Sequence, residues 1–250
     1  MWALWRRFVY GLTLVIIFLV PISYFSYQNL YKSPTCKDGL QNGEEAGVDC
    51  GGSCALLCSA DVIPVETSFA KFFRNDDGTY DVGIMLLNKN SGSAPLSLKL
   101  TVILKSKEDK VLLQKDLQTI IPLASDLPIV LQGLRISGIP DKVIVVKEEG
   151  YSYVLKNKII TPVKLATSFD QISKNGVYVT LTNTTKKDLL RFPVRVVLYD
   201  EQRRPLGISE STVGLLSGGE TKTIEVIFGH LFEREPTTIR AYAVLDPYAF

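Results

Sequence analysis

Residues 79–105 read TYDVGIMLLNKNSGSAPLSLKLTVILK, and their texture decides the fold. TYDVGIMLLN (79–88) is an apolar run that stops at an asparagine, and LSLKLTVILK (96–105) sets Leu98, Leu100, Val102 and Leu104 against Lys99, Thr101 and Lys105. Period-two alternation puts one kind of side chain on each face of an extended strand. The Ser, Gly and Pro residues between the runs are turn formers. KVIVVK (142–147) carries the same strand signal.

The pattern then restarts, with KIITPVKLATSF (158–169), GVYVTLTN (176–183), FPVRVVLYD (192–200), TKTIEVIFG (221–229) and IRAYAVLD (239–246), and no convincing amphipathic helix intervenes. Tyr80–Asn88 matches Val177–Asn183 loosely, and Leu98–Leu104 matches Phe192–Leu198 better, at an offset close to 95 residues (88 to 183). In each half a strand ends at Asn and a polar loop follows. A second strand then runs into a charged turn, Lys107, Glu108 and Asp109 or Asp200, Glu201 and Gln202, before a further strand. One apolar face per sheet requires a second such face to pack on. The expected architecture is mainly β: two immunoglobulin-like antiparallel β-sandwich domains, 60–157 and 158–250, with a single larger sheet structure as the alternative.

Within the second half, GVYVTLTNTT, VRVVLYDEQRRPLG and LLSGGETKTIEVIF (176–228) resemble the bacterial FxLYD domain, a small β-sandwich. Leu198, Tyr199, Asp200 and the Gly219-Glu220-Thr221 step match that pattern, while Val196 stands where the family has Phe. The resemblance implies a binding or spacer module and names no ligand.

Upstream, FVYGLTLVIIFLVPISYFSY (8–27) carries no ionisable charge at neutral pH. About 20 residues at about 1.5 Å each reach the roughly 30 Å of a hydrocarbon core. Arg6 and Arg7 precede the run and only Lys32 follows closely, so the positive-inside bias keeps the N-terminus in the cytoplasm. Trp2 and Trp5 on one side, and Tyr24, Phe25, Tyr27 and Tyr31 on the other, suit the interfacial belts. A cleaved signal peptide is the rival reading; bulky Tyr24, Phe25 and Tyr27 occupy the place of a small-residue cleavage site. Pro21 is expected to kink or end the helix. The order expected is cytoplasmic tail (1–7), transmembrane helix (8–27), juxtamembrane stalk (28–35), cysteine-rich segment (36–58), then the sandwiches outside the cell membrane.

All four cysteines fall in CKDGLQNGEEAGVDCGGSCALLC (36–58). Asp-Gly, Asn-Gly and Gly-Gly steps make tight turns there. So loop-rich a piece buries too little to hold itself, and an extracytoplasmic setting allows disulfides. Two are expected among Cys36, Cys50, Cys54 and Cys58, with three pairings open. Four thiolates also suit zinc, but Cys50, Cys54 and Cys58 are spaced by three residues each and form no pair of C-x-x-C knuckles. A calcium loop through Asp38, Asn42 and Asp49 is a weaker alternative still, since Leu40 offers no oxygen at the third place and Asp49 is shorter than the usual glutamate. Turn formation explains those residues better. The segment resembles a motif of bacterial surface and secreted proteins, C-x-D-G-x-x-N-G-x-E-x-G-V-D-C-G-G-x-C, matched from Cys36 to Cys54. Anchor, motif and β-rich sequence together resemble a group of membrane-anchored proteins of candidate-phylum bacteria with small genomes. That resemblance implies an envelope location and brings no catalytic residues.

Chemistry is sparse. His230, in Gly229-His230-Leu231, is the only histidine, and a lone loop histidine reads as structural or solvated. No G-x-S-x-G elbow, S-x-x-K box, P-loop or G-x-G-x-x-G occurs. Asp76-Asp77-Gly78 and Asp109 read first as turn residues, and Ser217-Gly218-Gly219-Glu220 as a β-turn. Asn183-Thr184-Thr185 is a formal glycosylation acceptor. A formal charge of +2, with 28 basic and 26 acidic side chains interspersed, selects no nucleic acid. Exposed strand edges invite strand addition, and Tyr248 and Phe250 suggest docking of the C-terminus on the domain itself. The expectation is a non-catalytic, cofactor-free binding or assembly module of the envelope, with a protein or glycan partner. An envelope enzyme or enzyme subunit and a structural spacer are the alternatives.

Overall fold

A computed structural model describes every residue except 1, 31–33, 91, 96, 122–124, 149–152, 156–164, 173–174, 233, 235 and 246–250. Lys32, Tyr248, Phe250 and the run 158–164 lie outside the described residues. Two compact units divide after Cys54.

The first unit opens with α1 (Trp2–Leu30). Its apolar window, Trp2–Tyr27, is long enough to cross a membrane, and none of that window is buried. The helix runs past the expected span 8–27 at both ends. Residues 2–7 and 28–30 are continuous with it, because neither breaker nor cap separates Trp2 from Phe8 or Tyr27 from Leu30. Pro21 lies inside the helix and does not end it; its ring nitrogen leaves one intrahelical carbonyl without a donor. Residues 34–54 form a turn-built loop with one short bridge, Gly47 to Cys50.

The second unit is mainly β, with one short 3-10 turn at Ser59–Asp61. Its strands are β1 (Leu56–Leu57), β2 (Glu66–Arg74), β3 (Tyr80–Leu87), β4 (Ser93–Pro95), β5 (Leu98–Lys105), β6 (Val111–Thr119), β7 (Asp126–Leu134), β8 (Lys142–Lys147), β9 (Tyr153–Leu155), β10 (Leu165–Ile172), β11 (Gly176–Asn183), β12 (Leu189–Tyr199), β13 (Pro205–Leu216), β14 (Thr221–Ile227) and β15 (Thr238–Ala243). Leu56 and Leu57, expected in the cysteine segment, are therefore the first strand of the β unit. They pair with β9, which also pairs with β4, in a small three-stranded sheet.

The remaining strands form four antiparallel three-stranded sheets: β2-β3-β7, β6-β5-β8, β10-β11-β14 and β13-β12-β15. The first pair encloses a core of Val82, Ile84 and Leu86 from β3, Leu98, Leu100, Val102 and Leu104 from β5, and Leu127, Ile129 and Leu131 from β7. The second pair encloses Val177, Val179 and Leu181 from β11, Val194, Val196 and Leu198 from β12, and Val226 from β14. Each sandwich thus has its own apolar interior, as two facing sheets require.

The two sandwiches repeat one topology. Ile84 pairs with Ile129, and Val179 with Ile224, so both partners move by 95 residues (84 to 179, 129 to 224). The turn after β5 recurs after β12: Ser106 N–H donates to Lys110 O and Asp200 N–H to Arg204 O, 94 residues on. Asp109 and Arg203 take the same left-handed conformation at these turns, with φ 63° and 59°.

The sandwiches lie face to face. Phe73, Met85 and Val130 on the outer side of β2-β3-β7 pack with Val197, Ile208 and Tyr242 on the outer side of β13-β12-β15. Four sheets are therefore stacked, and β3 and β12 are apolar on both faces. A side chain at Gly83 would place its Cβ 2.6 Å from Ile208 Cγ2, so this glycine makes room for the neighbouring sheet.

Candidate functional site

Nearly every residue of the cysteine motif has a partner inside the loop. Asp38 accepts from Thr35 N (3.2 Å), Leu40 N (3.0 Å) and Asn42 Nδ2 (3.1 Å). The Asn42 amide, with those backbone donors, holds the Asp38 carboxyl below the ordinary carboxylate value. Asp49 accepts from Gly39 N through both oxygens, at 3.1 and 3.0 Å. Glu45 Oε2 accepts from Asn42 N and Asp49 N, both at 3.3 Å. Gly39, Gly43, Gly51 and Gly52 all have positive φ. Gly52 is the tightest: a Cβ there would stand 1.7 Å from Glu44 O.

The carboxylates considered for calcium, Asp38 and Asp49, thus hold the loop's own N–H groups. Cys36 and Cys54 form a disulfide across 18 residues, and Cys50 and Cys58 are disulfide-bonded as well. Cys36, Glu45 and Cys54 approach one another closely enough to suggest a metal set. Two sulfurs bonded to each other offer no thiolate, however, and a metal needs the thiolate.

The second place of interest is the junction of the sandwiches. The β2–β3 hairpin docks on the turn after β14 through Asp76 N–H to Gly229 O (2.9 Å). Asn75 is buried beneath it, donating to Thr79 Oγ1 and Asp81 Oδ1, each at 2.9 Å. Gly229 is required there, since its Cβ would lie 2.4 Å from Asn75 Oδ1. His230 stacks flat on Phe73, with ring centroids 5.6 Å apart and planes 3° from parallel. Its Nε2 lies 3.2 Å from Leu206 O, which accepts from it in the Nε2–H tautomer. Lys71 Nζ lies over the Phe73 ring and donates to Pro205 O at 3.0 Å. Across the same face Gln132 donates to Ser209 and Arg195 to Pro128 O.

A cleft of about 620 Å³ opens beside this junction, lined by Lys71, Arg74, Asn75, Asp76 and His230 among others. It brings an acid and the histidine together, yet among the described residues no Ser, Thr or Cys lines it. The His230 Nδ1 atom is buried and has no hydrogen-bond partner among the described residues. A general base needs an accessible lone pair within reach of a proton to abstract. The geometry instead makes His230 a docking side chain, and its stacking partner, 157 positions earlier (230 to 73), was beyond what the sequence could indicate.

The other carboxylates sit in separate turns. Asp77 Oδ1 accepts from Thr79 N and Oγ1, which hold its carboxyl below the ordinary value. Asp109 is held down chiefly by Lys142, 2.7 Å away. Ser217 and Glu220 close a turn, with Glu220 N–H donating to Ser217 O at 3.0 Å. Asn183 is fully buried at the end of β11, not in a loop, and its Nδ2 donates to Lys187 O and Leu216 O. A glycosyl transfer to that nitrogen has no access. Among the edges, β6 places the exposed Lys115 opposite Val102, and a charge on an edge strand discourages strand addition there.

No family model matches the chain, and no curated protein matches it. Among solved structures it is similar to a red sea bream transglutaminase, at 13% identity and TM-score 0.25, over 73% of this chain and 29% of that one. It is similar also to a β-glucuronidase from glycoside hydrolase family 2, at 9% identity and TM-score 0.19, over 81% of this chain and 25% of that one. The chain spans less than a third of either protein, and neither likeness carries an argument.

Proposed function

We propose that this chain is a membrane-anchored, non-catalytic module of the bacterial cell envelope, with its N-terminus in the cytoplasm and its β-sandwiches, of immunoglobulin-like and in part FxLYD-like type, outside. The observation that carries the reading is sequential: a helix none of whose apolar window is buried is followed by a segment whose four cysteines are all in disulfides. An exposed apolar helix of that length needs a lipid environment. Disulfides persist where the compartment is oxidising, which supports an extracytoplasmic placement for the chain beyond the helix. Arg6 and Arg7, ahead of the span, support the same direction.

The activity proposed is binding of an envelope protein or a glycan by the sandwich surfaces. The full chain, tagged at its C-terminus and cross-linked in its native membranes, tests this: recovery of one specific envelope partner or glycan is expected. Recovery of none would remove the reading's main content. A structural spacer is the second reading, favoured by the apolar junction between the sandwiches, which fixes one against the other.

A further inference from the structure

We propose that Glu45 shields the Cys36–Cys54 disulfide from thiol exchange. Glu45 Oε1 lies 3.4 Å from Cys54 Sγ, in contact with the sulfur. Its other oxygen is pinned by the N–H groups of Asn42 and Asp49, so the carboxylate is fixed beside the disulfide and does not sweep through solvent. Cys54 is 2% exposed, while Cys36 is partly open.

An attacking thiolate therefore reaches Cys36 more readily than Cys54. Attack at Cys36 forms a mixed disulfide between the incoming sulfur and Cys36 Sγ. The Cys36–Cys54 bond breaks, and its electron pair leaves on Cys54 Sγ as a thiolate. That negative charge develops in contact with the Glu45 carboxylate, inside a low-exposure site where like charges repel most. A thiol that resists ionisation is a poor leaving group, and exchange slows accordingly. A segment held by cross-links rather than by a core gains persistence from such a guard.

The test uses the full chain in detergent micelles, wild type and Glu45→Gln, treated with excess cysteamine or mercaptoethanesulfonate. Free thiols are trapped by alkylation over time, and the Cys36 and Cys54 peptides are counted by mass spectrometry. Glutamine keeps an oxygen for the two N–H donors, so the loop geometry is retained. Glu45→Gln is expected to speed reduction several-fold with both thiols, since the eased step is departure of the Cys54 thiolate. Glu44→Gln, which removes the same charge from the neighbouring position, is expected to stay near the wild-type rate. Unchanged or slower reduction in Glu45→Gln would overturn the proposal. So would an equal acceleration by Glu44→Gln, the mark of a general charge effect rather than of the contact with Cys54.

Discussion

Asn88 and Asn183, 95 residues apart, make the same turn in the two sandwiches. Asn88 directly follows β3 and Asn183 closes β11, the central strands of their sheets; each is buried, and each accepts on Oδ1 the N–H of the residue two places on, Asn90 at 3.1 Å and Thr185 at 3.0 Å. Their amide nitrogens reach across the following loop, Asn88 to Ser93 O and Asn183 to Lys187 O, and Asn183 also donates to Leu216 O at the end of β13. A side-chain amide that satisfies both sides of a buried turn is hard to replace, because its partners are left without hydrogen bonds.

Asn183→Ala is expected to cost about 1–3 kcal/mol, and Asn88→Ala a similar amount, by the usual penalty for unpaired buried groups. Urea unfolding of each variant checks it. In a host that glycosylates Asn-X-Thr sites, the wild-type chain is expected to carry no glycan on Asn183, read by mass spectrometry of the 176–190 region.

Gly83→Val is expected to destabilise the chain by about 1–3 kcal/mol through overpacking, since its Cβ meets Ile208 across the junction. Pairing it with Ile208→Ala is expected to recover part of that loss, a coupling that a double-mutant cycle measures. Additive losses would place the two residues out of contact.

Much of this was legible because the signals were local. The asparagines, the charged turns and the alternation of β5 are visible along the chain, and the repeat offset follows from them. The stacking of the sandwiches was not. β3 shows an unbroken apolar run because Val82, Ile84 and Leu86 face one core while Met85 faces the other sandwich; a run alone does not say what covers its second face. β2 lost its period for the same reason, with Phe72 turned to the core and Phe73 to the junction. β7 was hidden by Pro128 and Gly133, which read as breakers but are tolerated on an edge strand. β1, β4 and β9 are two or three residues long, too short for any periodicity. Cysteine spacing left three pairings open, and the turns that bring Cys36 to Cys54 depend on backbone angles at glycines.

Gly52→Ala is expected to scramble the staple, since position 52 has φ 57° and no space for a Cβ. Non-reducing peptide mapping should find the Cys36–Cys54 link in the wild-type chain and mixed pairings in the variant. A uniform Cys36–Cys54 link in both would show that the loop tolerates the change.

Asp200 gives a pH signature. Burial alone would raise its pKa, but the Arg204 N–H and guanidinium and the Gln202 N–H together hold it below the ordinary value of 3.8. A carboxyl depressed on folding adds stability that is present above the unfolded value and lost as pH falls through the folded one. Acid unfolding of the wild-type chain is therefore expected to steepen below about pH 4, and Asp200→Asn, less stable at neutral pH, to show a flatter acid limb. Equal slopes in the two proteins would exclude Asp200 from the transition.

The side of the membrane on which the β unit lies decides the proposed function. In spheroplasts carrying the chain with a C-terminal epitope, added protease is expected to remove the epitope while leaving a short N-terminal fragment with the membrane. An epitope that survives until the membrane is dissolved would contradict the proposed orientation, and an epitope released intact into the medium would contradict the anchor.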